Sequence, residues 1–321
     1  MVEIQQGIIY SGKLKGEVFA NSPVTSEYKP ILDGRDIDRY IINWNLKKEN
    51  KYLKYSKELH RAREERLFLA KEKLLIPRKS TSIVAAYDNK QFYALNTAYL
   101  LLPTVKGYSL KYLLTLLNSK LVKNIYRKKW VGWQIVIPAL KELPVKPASV
   151  NIQQEFATFV DQILEINKDI PALEAKVNNT QELLKDFDFI LGDLADIPGI
   201  RVELRDRIGK PRIKREGLKV FLDSKSYIEC KSEYMANYIE LYLGSLGGTL
   251  RGKTNSEVVD LIRIPKSPDQ LKNILQKRQE LLNQIEELKH RQDEIDKEID
   301  ERVYKLYGLT EEEIKIVKIS D

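Results

Sequence analysis

Asp223, followed six residues later by Glu229-Cys230-Lys231, is the one string in this 321-residue chain that spaces two carboxylates and a lysine as a Mg²⁺-dependent phosphodiester hydrolysis would need them. The same residues also read as a hairpin edge leading into a helix. Asp-x-Ser is a common turn, and Glu-x-Lys recurs by chance in a chain that is 31% charged. The single cysteine, Cys230, excludes an intrachain disulfide and sits in a run that reads as a buried strand. One Cys with two distant histidines, His60 and His290, cannot build a structural zinc site, and both histidines read as surface residues. There is no Pro-Pro dipeptide, hence no Asn-Pro-Pro-Tyr loop to hold an exocyclic amine. Nor does a glycine fingerprint follow a strand and open a helix. The glycine-rich stretch 244–252 follows a helix and lacks a Gly-Lys-Ser/Thr ending, so it reads as a loop. The residues therefore predict no catalytic group, no metal and no cofactor in this chain, with the Asp223/Glu229/Lys231 nuclease kept as the alternative.

Binding chemistry is written more strongly. The first 150 residues carry 27 Lys and Arg against 13 Asp and Glu, and the remaining 171 carry 27 against 33. A net charge of +8 hides a basic half joined to a mildly acidic one. Clustered cations on a folded surface displace condensed counterions from a phosphate backbone, so the first half is expected to meet a polyanion. Three stretches hold the excess. Lys47, Lys48, Lys51, Lys54 and Lys57 are punctuated by Tyr52 and Tyr55 and preceded by Asn43 and Asn45; Arg61, Arg63 and Arg66 follow, with Glu58, Glu64 and Glu65 among them. Lys123, Arg127, Lys128, Lys129 and Trp130 lead into Trp133 and Gln134 with no acid between. Arg78 and Lys79 form a further pair. Lys and Arg hold phosphates, while Arg, Asn and Gln also match base edges. A solvated helix face is the competing reading, most of all for 47–66.

Elements must position these residues. Up to about residue 150, short apolar runs alternate with turn signals, as in an α+β domain. Strands are predicted at Leu74–Ile76, Ile83–Tyr87, Gln91–Leu95 and Tyr99–Leu102, with Tyr87-Asp88-Asn89-Lys90 turning the second into the third. Helices are predicted at Ser109–Leu121, capped by Ser109, and over Leu59–Lys71. From 152 the period changes. Ile152, Phe156, Phe159, Ile163, Ile166, Ile170, Leu173, Val177, Thr180, Leu184 and Phe187 step by fours and threes, the seam of a helix packed along its length, with a kink or a break expected near Ile170 because of Pro171. A second ladder runs Ile274, Arg278, Leu281, Ile285, Leu288, Gln292, Ile295, Ile299. Two such helices, each reaching about 50 Å, predict an antiparallel intrachain pair with a small domain between. A homodimeric coiled coil is the alternative. Within that small domain, strands are expected at 201–204, 218–222 and 227–230 and a helix at 232–243. The expected organisation is a recognition domain at 1–150, a first spacer helix at 151–190, a small α+β domain at 191–265, a second spacer helix at 266–308 and a tail at 309–321.

The same residues, in order, carry a resemblance. Gln6-Gly7-Ile8 with Gly12, then Leu32-Asp33-Gly34-Arg35-Asp36-Ile37-Asp38-Arg39-Tyr40, Lys73-Leu74-Leu75-Ile76-Pro77-Arg78, Leu113 to Leu121 around Asn118-Ser119, and Leu143-Pro144-Val145 resemble the target-recognition domain of TaqI-like and type IIG restriction-modification enzymes. The ending from Ile299 to Ile314 is similar to the C-terminus of such adenine-specific methyltransferases. The resemblance implies a module that reads double-stranded DNA for an N6-adenine methyltransferase. The S-adenosylmethionine-binding segments are missing here. The chain thus looks like the C-terminal half of such an enzyme, or a free-standing specificity subunit comparable to those of type I systems, with the cofactor, and in some systems a nuclease, in a partner subunit or domain. It implies a structural role for Gly34, Arg35, Asp36, Tyr40, Asn118 and Ser119, and base contacts on the loops at 43–57, 78–82 and 123–134. With no apolar span and no leader peptide legible, a cytoplasmic protein that touches no membrane is expected. A coiled-coil adaptor that binds protein instead of DNA stays open beside these readings, as does a homodimer.

Overall fold

The computed structural model describes residues 2–10, 18–46, 49–104, 107–130, 132–178, 189–190, 200–203, 208, 210–224, 226–254, 257–258, 260–264 and 268–319. The chain is α+β and divides into two units, Met1–Lys168 with His290–Asp321, and Asp169–Lys289. The first unit opens with β1 (Val2–Gln6), β2 (Phe19–Ala20), β3 (Tyr28–Leu32), β4 (Ile37–Asp38), β5 (Ile41–Ile42), β6 (Tyr52–Lys54), β7 (Lys73–Pro77), β8 (Ala86–Asp88), β9 (Tyr93–Ala94) and β10 (Ala98–Pro103). An antiparallel sheet of order β1-β10-β7-β8 lies beside a second sheet of order β2-β6-β3-β9, in which only β3 and β9 are parallel. All five residues of β7 are buried, Lys73 among them, which suits the apolar run Leu74-Leu75-Ile76-Pro77 to a central position.

The segment 94–98 joins the two sheets. Leu95 N–H donates to Leu32 O at 2.8 Å, and Ile8 N–H to Ala94 O at 2.8 Å. Here two glycines have no room for a side chain. A Cβ on Gly7 would sit 2.3 Å from Leu95 O, and one on Gly34 2.5 Å from Thr97 O.

Two sequence expectations fail in this region for one reason: tertiary partners claim the backbone. Strands 83–87 and 91–95 do not form a hairpin. β8 pairs with β7, and β9 crosses to pair with β3. The Asp88 carboxylate is buried, and it accepts from Lys90 and Phe92 N–H while pairing with Lys73, so the chain cannot fold straight back. Leu59–Lys71 is not a helix and holds only a 3-10 turn at Glu65–Leu67. Arg61 exchanges both backbone hydrogen bonds with Ile9, and Arg63 takes φ +68°, a left-handed conformation that no helix continues through.

The helices α1 (Leu110–Asn118), α2 (Lys120–Lys129), α3 (Ile137–Lys141) and α4 (Val150–Asn178) follow. The predicted single helix 109–121 is two. Ser119 is extended at ψ 150°; its hydroxyl donates to Leu116 O and accepts from Val122 N–H, closing α1 and capping α2.

In the second unit, β11 (Phe189–Ile190) pairs with the later β16 (Arg263–Ile264), while β12 (Ile200–Glu203), β13 (Lys214–Glu216), β14 (Lys219–Phe221) and β15 (Tyr227–Cys230) form an antiparallel sheet of order β12-β15-β14-β13. Helix α5 (Glu233–Leu246) packs Ile239 and Leu243 into a core shared with Val220, Ile228 and the buried Cys230, whose thiol burial pushes up to about 12. The helix α6 (Pro268–Tyr307) contributes to both units, and α7 (Glu311–Ile319) belongs to the first.

The two long helices run antiparallel within the chain. In the first unit, Arg302 pairs with Glu155 at 2.7 Å and Gln292 donates to Asn167 Oδ1 at 3.3 Å; in the second, Arg278 donates to Val177 O at 2.7 Å. Phe156, Ile163, Ile166 and Val177 of the first ladder are buried, as are Ile285, Ile295 and Ile299 of the second. Thr180, Leu184 and Phe187 lie outside the described residues. The expected break at Pro171 does not occur: α4 passes through it. Pro171 is exposed and can offer no N–H to the Asn167 carbonyl. No helix among the described residues is long and apolar enough to cross a membrane.

Candidate nucleic-acid interface

Where β7 ends, Arg78 meets the segment that follows α2. Arg78 N–H donates to Thr97 O at 2.7 Å and its carbonyl accepts from Ile135 N–H at 2.8 Å, so its backbone is clamped on both sides. Its Nη2 donates to Gln134 Oε1 at 3.2 Å. One residue on, Lys79 Nζ lies 5.9 Å from the ring centre of Trp133, whose side is 64% exposed. Tyr99 OH donates to Ile135 O at 2.9 Å and anchors this segment to β10. Two stretches 54 or more residues apart in sequence thus bring together a guanidinium, an ammonium, an amide and an indole. Beside them the C-terminal turn of α2 carries Arg127, Lys128 and Lys129, where the helix dipole favours cations. Trp130 stacks on Tyr126 at 5.5 Å, and Lys129 lies 4.6 Å from its ring centre while pairing with Glu142.

A second group forms on the β2-β6-β3-β9 sheet. Trp44 Nε1 donates to Lys51 O, Lys51 Nζ lies 5.2 Å over the Trp44 ring, and Tyr52 and Phe92 brace that ring at 5.5 and 5.6 Å. Asn45 is exposed, whereas Asn43 is half-buried with its N–H on Asp36 O. Lys54 pairs with Glu27 at 3.4 Å. Lys47 and Lys48 lie outside the described residues.

Other residues of the predicted basic stretches make contacts within the fold. Arg63 Nε donates to Gly7 O at 3.4 Å, and Arg61 holds Ile9 through its backbone. Arg66 pairs with Glu3 at 3.1 Å and Glu64 at 2.6 Å; its hydrogen bonds hold the Glu3 carboxyl below its ordinary value. Half-buried Lys123 faces Asp296 of α6.

The residues of the resemblance make contacts within the domain. Asp33 and Asp36 form a reciprocal cap around Gly34 and Arg35, and Arg35 reaches only Asp33 with an otherwise exposed side chain. Gly34 N–H donates to Thr97 Oγ1 at 2.8 Å, which ties this turn to the residue that holds Arg78. Tyr40, at φ +62° and buried, donates its N–H to Ala85 O. Asn118 clasps Ala85 from the other side, accepting from its N–H and donating to its carbonyl at 2.9 Å each, which is why strand pairing starts only at Ala86.

Sequence reasoning missed one layer. Arg39 donates to Asp296 and to Asn118 O, and Asp300 accepts from Lys120 N–H at 2.9 Å, the first turn of α2. Burial raises both aspartate pKa values above the ordinary 3.8. The signal was present as two acids four residues apart beside the second ladder.

The candidate nuclease string has another occupation. Asp223 Oδ1 accepts from Ser226 N–H at 2.8 Å, closing a turn, and Glu229 stands opposite Lys219 in the β14–β15 register, with Lys231 exposed beyond it. Among the described residues, no group of three or more His, Cys, Asp or Glu is arranged to hold a metal ion.

Comparison with known proteins bears out the resemblance over one region. Residues 29–145 match the family TaqI-like C-terminal specificity domain. No curated protein matches the chain. Among solved structures, the type I restriction-modification system S subunit from M. genitalium aligns with 93% of this chain and 93% of its own, at 11% identity and a TM-score of 0.48. A nuclease-deletion mutant of the type ISP restriction-modification enzyme LlaGI, in complex with a DNA substrate mimic, aligns with 82% of this chain at 15% identity and a TM-score of 0.26, and the chain covers 21% of it.

Proposed function

We propose, on the premise that residues 29–145 are a TaqI-like specificity domain, that this chain reads a short sequence in double-stranded DNA for a restriction-modification system. It performs no covalent chemistry itself. It directs an N6-adenine methyltransferase carried by another chain or region, which holds S-adenosylmethionine and turns the target base out of the duplex. The pair α4 and α6 serves as spacer and as the surface on which that partner docks.

The observation that carries this reading is the grouping of Arg78, Lys79, Trp133 and Gln134, inside and just behind the matched strands. A surface indole beside an ammonium and a fixed guanidinium–amide pair suits a duplex edge: cations hold phosphates, and the planar groups meet bases. The test is selection of the purified full chain on a pool of random duplexes at moderate salt, followed by sequencing of what is retained. An enriched short motif, with affinity that falls steeply as salt rises, is the expected result. Retention without any motif and with little salt dependence would favour a protein-binding adaptor.

A further inference from the structure

We infer that Arg78 is a specificity-determining residue that reads guanine, with Gln134 as its positioning residue; this rests on the DNA-recognition reading above. Both ends of the Arg78 peptide are held, by Thr97 O and Ile135 N–H, so the start of the side chain is fixed relative to the β1-β10-β7-β8 sheet. Gln134 then fixes its far end. The amide oxygen accepts from Nη2 at 3.2 Å, which engages one of its two lone pairs and turns the oxygen toward Arg78, so Nε2, a pure donor, is the group the glutamine turns outward.

That arrangement has a chemical sign. A free glutamine reads adenine with its oxygen on the N6 amine and its nitrogen on N7. With the oxygen turned to Arg78, the pair presents mainly N–H groups, those of the guanidinium and of Nε2. Guanine is the base whose major-groove edge offers two acceptors, O6 and N7, and no donor; adenine and cytosine each point an amine at the same place. A donor-rich pair of this kind matches guanine best and answers an amine of adenine or cytosine poorly. Thymine presents one acceptor and a methyl group, a poorer match to a forked guanidinium. The exposed Trp133 and Lys79 flank this pair and suit the neighbouring sugar and phosphate.

The experiment is the random-duplex selection run in parallel on the full wild-type chain, Arg78→Ala, Arg78→Lys and Gln134→Leu. The wild-type motif is expected to contain a guanine whose preference falls about ten- to a hundredfold in Arg78→Ala, while preferences at the other positions persist. Arg78→Lys keeps the charge but not the fork, so it is expected to keep binding and lose the same preference, and it carries the test if the alanine variant does not fold. Gln134→Leu is expected to weaken that one preference in part. A wild-type motif that Arg78→Ala and Arg78→Lys leave unchanged, with affinity lowered equally for every sequence, would make Arg78 a phosphate contact and overturn this inference alone. A wild-type chain that enriches nothing would overturn this inference and the DNA-recognition reading together.

Discussion

Lys73 Nζ lies 2.6 Å from Asp88 Oδ2 with both side chains sealed from solvent, and the two residues are register partners across β7 and β8. The ammonium also donates to Phe68 O at 2.8 Å, while the carboxylate accepts from Lys90 and Phe92 N–H. Ammonium and carboxylate thus answer each other, and the strand that Lys73 begins ends at Pro77, one residue before Arg78.

Removing one partner leaves the other charged and buried. Lys73→Met is expected to cost about 3–5 kcal/mol in urea unfolding. Lys73→Met with Asp88→Leu is expected to recover only part of that, because the N–H groups of Lys90 and Phe92 lose their acceptor.

Gly34→Ala tests the close approach to Thr97. A Cβ 2.5 Å from that carbonyl must push either the turn or the 94–98 segment, an overpacking cost of roughly 1–3 kcal/mol. The carbonyl also receives Arg78 N–H. Thermal unfolding is expected to shift down, and the sequence preference of the retained DNA is expected to blur even below the new transition.

The Asp300 carboxyl is raised above 3.8 by burial, against the opposing pull of the Lys120 N–H. An acid whose pKa is higher folded than unfolded holds its proton more readily in the native state. Its stabilising contribution is therefore fully present below pH 3.8 and is lost as pH rises through the higher native value. Asp300→Asn keeps an acceptor for Lys120 and removes the charge. The variant is expected to equal or exceed the wild type in urea unfolding at neutral pH, with the difference shrinking as both are titrated below 3.8; a difference that does not vary with pH would refute the assignment.

Lys79→Ala removes a cation beside an exposed indole without touching the Arg78 clamp. The slope of log affinity against log salt is expected to fall by about one, with the selected motif unchanged. Filter binding over a salt series reads this directly.

Periodic and local features were legible in the sequence: the four-three ladder of α4, the cap at Ser109, the buried strand at Cys230, the apolar run of β7. Their signals lie within a few residues of themselves. Partner choice was not legible. Nothing near Asp88 says that its carboxylate will take Lys73 and forbid the hairpin, and nothing near Arg61 says that Ile9 will claim its backbone before a helix can. The basic stretches told where charge accumulates, but not that Arg66 is spent on Glu3 and Glu64 while Arg78, a lone pair member in the sequence, is the cation held against an amide.

Thr97 receives the Gly34 turn on its hydroxyl and Arg78 on its carbonyl, so the frame that aims the recognition loops is made of main-chain atoms and one short side chain. Exchanging the side chains at 78, 79, 133 and 134 is expected to rewrite the outward chemistry while the main-chain bonds of that frame persist. A scaffold of this kind permits its preference to drift by substitution at a few outward positions while its stability stays put, which makes those four positions the natural library for retargeting.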